Sequence, residues 1–134
     1  MMITLANIRD LIASYYIAEN YYIGKLDNKK EKSIGVYSLK RTGSPIIALG
    51  GLENTTYNTK PVSVLIHWNK NADETERTAQ HLFDKLLAIK NYQIGDTEIH
   101  FIKMNVPEPV DVGTDDKGVY ERVIEFEVYY QRSE

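Results

Sequence analysis

Histidine and carboxylate are the residue types in this chain best suited to chemistry. The histidines are His67, His81 and His100. One acidic run is Asp111, Asp115 and Asp116, followed by Gly118 and Glu121. Imidazole and carboxylate together build metal sites, and a bound metal can activate water. A small metal-dependent hydrolase using His67, His100 and the Asp111 to Asp116 loop is therefore one reading. The spacing gives it little help. No two histidines stand at i and i+4, and H-E-x-x-H is absent. The aspartates depart from the D-x-D-x-D-G series that closes on Glu at position twelve of a calcium loop. An acidic turn, in which Asp and Gly supply local hydrogen bonds and positive φ, accounts for them without an ion.

Nucleophile signatures are missing. There is no Cys and no G-x-S-x-G, and Gly50-Gly51 is not followed by the G-K-S/T of a phosphate loop. Asp73 and Glu74 fall at a predicted helix start, where capping explains them. No catalytic residue, cofactor or metal is expected. Two other groups could act by contact. Lys25, Lys29, Lys30 and Lys32 lie beside Tyr21 and Tyr22; a solvated turn or a nucleic-acid contact would both use them. The tyrosines come as doublets at 15–16, 21–22 and 129–130. In a strand a doublet sends one ring to the core and one outside, and exposed Tyr suits interfaces.

Periodicity supplies the elements that must position these groups. Leu5, Ile8, Leu11, Ile12 and Tyr15 predict a first helix. Tyr21 to Leu26 and Lys32 to Leu39 read as strands joined by a polar turn into a hairpin. A long loop, Arg41 to Thr59, holds a short apolar piece at Ile46 to Leu49. Pro61 to Trp68 alternates cleanly, with Pro61 expected at a strand start or edge. Asn71 caps a second helix and Glu74 completes a capping box. Its stripe is Thr75, Ala79, Leu82, Phe83, Leu86 and Leu87, and Asn91 is the expected stop. Gly95-Asp96 turns into a strand from Thr97 to Met104. An acidic loop, Asn105 to Lys117, precedes a long strand from Val119 to Tyr130. Its even positions are apolar apart from Arg122; Glu121, Glu125 and Glu127 make the other face wet and acidic. The fold class is α+β: a mainly antiparallel sheet with two helices on one face.

At 134 residues the chain suits one domain, 1–134. A chain of this size buries about 68% of its unfolded surface, so a core forms without staples. The net charge of −3 is too small to argue for nucleic acid. It is unevenly placed: residues 1–41 are basic on balance and 107–134 acidic. Such asymmetry can register head-to-tail contacts between copies. No apolar run approaches the ~20 residues of a membrane span, and no signal peptide is visible. Asn54-Thr55-Thr56 matches a glycosylation acceptor only as a chance pattern.

Four stretches together resemble the tail-terminator or tail-completion proteins of long-tailed bacteriophages, the group labelled minor capsid protein in phages and prophages of Gram-positive bacteria. They are Ile23 to Leu26 leading to Ile34-Gly35-Val36-Tyr37; Pro61 to His67; the helix from Thr75 to Leu87; and Pro109 to Val128, with its Gly-x-Asp-Asp-x-Gly-Val-Tyr-Glu core. Asp27 and His67 depart from the Pro and Arg of the pattern. The resemblance implies a homo-oligomeric ring, commonly a hexamer, that caps the tail tube and meets the head connector. It implies no chemistry, a virion location reached from the host cytoplasm, and an acidic lumen through which DNA slides without specific binding. A head-completion or stopper protein of the neck is the neighbouring alternative. The loops 41–59 and 105–117 are expected to carry subunit and partner contacts.

Overall fold

The computed structural model describes residues 2–39 and 57–131. The expected apolar piece at 46–49, Gly50-Gly51 and Asn54-Thr55-Thr56 lie outside the described residues, as does most of the 41–59 loop. Thr4 opens helix α1 (Leu5–Ala13) with a capping box: its hydroxyl accepts from the Asn7 amide at 3.2 Å, and the Asn7 side chain accepts from the Thr4 amide at 2.9 Å. Ile8, Leu11 and Ile12 form the buried stripe. The helix ends before Tyr16, which takes a left-handed φ of 55° and projects into solvent.

Strands β1 (Asn20–Ile23) and β2 (Ser33–Ser38) run parallel, so the predicted hairpin is incorrect. The backbone shows why. Glu19 and Asn20 amides both donate to the Lys32 carbonyl, and the Gly24 amide donates to that of Val36. The start of β1 is thus tied to the start of β2, and the connection 24–32 must run back along the pair. It is shorter than the dozen residues usual for a parallel crossover.

Strand β3 (Tyr57–His67) begins earlier than the sequence suggests and contains Pro61 in its interior. The Pro61 carbonyl accepts from the Leu39 amide, so its missing N–H faces the side where β2 has just ended. That stretch is a local edge, which is where proline is tolerated. Helix α2 (Ala72–Leu87) follows. The Asn71 side chain accepts from the Glu74 amide at 3.0 Å, as expected, but Glu74 does not complete the box. Its carboxylate accepts from the Trp68 indole at 3.0 Å and from the Asn69 side chain, tying the helix start to the end of β3. Thr75, Ala79, Leu82, Phe83 and Leu86 are buried, whereas Leu87 is exposed. Asn91 is not a helix stop; it lies in an edge strand, β4 (Lys90–Ile94), that turns at Gly95-Asp96 into β5 (Thr97–Met104). The acidic loop holds a further strand, β6 (Val110–Thr114), and β7 (Tyr120–Gln131) closes the chain.

Strand β7 is the spine. One side pairs with β3 along its whole length. The other side is shared: β5 takes the half from Phe126 to Tyr130, β6 the half from Tyr120 to Val123. The sheet order is β1-β2-β3-β7-β5-β4, with β6 alongside β7. All pairs except β1–β2 are antiparallel, so the α+β expectation holds. Ile34, Val36, Val62, Val64, Ile66, Ile124, Phe126 and Val128 pave one face. Apolar residues of α1 and α2 join the same cluster, which puts both helices on that face. Each such side chain contributes about 1.5–3 kcal/mol through burial.

Candidate assembly surface

The face away from the helices carries the polar groups. Register places Glu121, Glu125 and Glu127 opposite His67, Ser63 and Pro61 of β3. They share a face as predicted, but that face is not simply wet. Glu127 is 4% exposed, Glu125 is half-buried, and Glu121 is held by His67. The sheet curls, and connections from both edges fold over it. One is the turn at 115–118, which brings Asp115 onto His67. The other is 24–32, whose Leu26 backbone hydrogen-bonds to the Tyr37 hydroxyl. Burial holds the Tyr37 phenol above its ordinary value, the Leu26 bond opposes this, and the charge of Glu121 adds to it.

His67 is fully buried between two carboxylates. Its Nδ1 lies 2.9 Å from Glu121 Oε2 and its Nε2 lies 3.8 Å from Asp115 Oδ2. An ionised carboxylate only accepts, so the short contact fixes a proton on Nδ1. Asp115 Oδ1 accepts from the amides of Lys117 and Val119 at 2.9 and 3.0 Å. The Val119 bond is the largest of the effects that hold the Asp115 carboxyl below its ordinary value; partial desolvation opposes, and Lys117 and His67 assist. Gly118, at φ 84°, closes this turn with its amide donating to the Asp115 carbonyl. The Asp-Gly spacing therefore builds a local turn of the kind its residue types suggest.

The groups of the hydrolase reading do not converge. Along β7, the partners of His67 and of the His100 region are Glu121 and Tyr130, about 30 Å apart at ~3.3 Å per residue. His100 faces Glu98 at 3.2 Å, and His81 is exposed on α2. Asp111 caps the Gly113 amide at 2.8 Å and faces Arg122 at 3.7 Å. Arg122, the polar break in the apolar row, also reaches Glu76 of α2 at 4.0 Å. Among the described residues no group of three or more His, Cys, Asp or Glu could hold a metal ion, and no helix is long and apolar enough to cross a membrane.

Among the described residues, the sheet ends in two open edges at the β6 end. Strand β6 is exposed throughout, with Val110 and Val112 at 42% and 50%. Opposite, β1 carries Tyr22 and an exposed Ile23, beside a shallow cavity of about 300 Å³ lined by Tyr22, Lys25, Leu26, Asp27 and Asn28. Lys25, Lys29 and Lys30 are exposed in the 24–32 connection, and Lys32 lies 4.0 Å from Glu19. At the far end Tyr129 stacks on Phe101 at 4.5 Å and tilts against Tyr57 at 5.4 Å, while Tyr130 enters the core. That doublet divides as expected.

Among the described residues, β1 and β6 each pair with a single strand, and β6 presents exposed Val110 and Val112. Residues 3–132 match the family described as bacteriophage tail terminator protein, and no curated protein sequence matches the chain significantly. The chain belongs to that family: it is a structural phage protein of the virion that terminates the tail.

Proposed function

We propose that this protein is the repeating subunit of a ring, a hexamer in the form the resemblance implies, that closes the finished tail tube and joins it to the head connector. The whole chain acts as one domain, and the ring is recruited from the host cytoplasm during assembly. DNA passes through its lumen. A lumen poor in exposed Lys and Arg lets it slide, because binding DNA requires Lys or Arg to release its counterions. The observation that carries this reading is the family match across residues 3–132. The edges that β1 and β6 leave unpaired among the described residues support it, since a closed ring needs a donor and an acceptor surface on each copy. The test is genetic. Phage lacking the protein should make tails that are uncapped in length or fail to join heads, and supplying the wild-type chain in trans should restore both. Tails of normal length joined to full heads in its absence would contradict the reading.

A further inference from the structure

Resting on the ring reading, we infer that copies join edge to edge, with β6 of one subunit adding to β1 of the next. The register defines the two edges. A single row crosses the outer face from Tyr22 through Gly35, Leu65 and Val123 to Val110. Its ends lie four strand spacings apart, about 19 Å. Tyr22 and Val110 therefore terminate the same row on opposite sides of the sheet. Strand β1 is parallel to β2, and β7 is also parallel to β2 through β3, so β6, antiparallel to β7, runs antiparallel to β1. A rotation about an axis along the strands leaves strand directions unchanged. Neighbouring copies then bring β6 and β1 together as an antiparallel pair, the more stable arrangement per residue.

The occupant is a second copy of this chain because the two edges complement each other. Strand β6 and its flanks carry Glu108, Asp111, Asp115 and Asp116 against Lys117 alone. The 24–32 connection carries four lysines against Asp27 and Glu31. Opposite potentials set orientation and suppress like-to-like contacts. The apolar parts also match: Val110 and Val112 stand proud of one edge, and the cavity beside Tyr22 and Leu26 opens at the other. An exposed apolar edge strand is a ready site for pairing with another chain. The contact is heterologous, so each copy uses both edges and the assembly closes only as a ring or extends as a filament.

Introduced thiols test this cleanly because the chain has no Cys. The variants are Val112→Cys, Asn28→Cys and the two combined, treated with a short bis-maleimide at concentrations where light scattering is recorded on the same samples. The combined variant should give a ladder ending at the ring. Mixing the single variants should give dimers only, and each single variant alone should give none. Charge reversal at Asp116→Lys or Lys29→Glu should weaken association at least tenfold at low salt, and the two reversals in one chain should restore it. Dimers from Val112→Cys alone would overturn the heterologous contact. Rings without cross-links would overturn the edge pairing and leave the ring reading standing. Monomers without cross-links, both alone and with purified tail tubes present, would overturn both.

Discussion

Gly35 shows how one residue sets the outer face. A Cβ at this position would stand 2.8 Å from the Tyr37 ring, so the ring lies across the glycine. The Tyr37 hydroxyl is tied to the Leu26 backbone, which leaves the ring little room to move away. Gly35→Ala should cost about 1–3 kcal/mol by overpacking, read as a lower denaturation midpoint with an unchanged m value. Asp115 gives a pH prediction. Its folded carboxyl lies below the ordinary value, so the turn it holds is supported above the unfolded value of about 3.9 and weakens as pH falls through the depressed one. The Lys117 and Val119 amide resonances should titrate together with a midpoint below that of a free Asp; a midpoint at or above it would contradict the turn geometry. The sequence signalled this turn through its Asp and Gly spacing. It gave no sign that His67 sits between Asp115 and Glu121, because that contact depends on pairing between positions more than fifty residues apart.

At the scale of elements, strong local patterns carried through and partner choice did not. The α2 stripe, apart from the exposed Leu87, and its Asn71 cap form as predicted, and Asn71→Ala should destabilise the fold by about 1 kcal/mol in chemical denaturation. The apolar row of β7 also holds from Ile124 to Tyr130, although Glu127 on the other face is buried too, and Phe126, fully buried on the central strand, should cost about 3–5 kcal/mol when cut to Ala. Strands β4 and β6 escaped the sequence reading because edge strands bury too little to show an alternating pattern; their residues are exposed almost throughout. The parallel pairing of β1 and β2 was hidden for another reason. A polar turn between two apolar runs predicts a hairpin, and only the long-range bonds to Lys32 and Val36 reverse the direction. Edge pairing makes its own prediction: the β6 amides that face away from β7 exchange rapidly in the free subunit and become protected on assembly, and equal exchange in both states would count against it.

For the whole molecule, the core beneath the sheet leaves, among the described residues, two open edges of unlike charge at the β6 end, and the family assigns the chain to tail termination. The charge asymmetry was visible in the sequence as a basic beginning and an acidic end. Its placement on opposite edges follows from topology, since the chain starts at one side of the sheet and returns to its spine for β6 and β7. The measurement that bears most directly on the ring is light scattering of the purified protein over a range of concentrations, alone and with purified tail tubes, followed by negative-stain imaging. The ring account predicts closed particles of one size with a central hole, either free or seated on tube ends. A protein that stays monomeric at every concentration and leaves tube ends bare would contradict it.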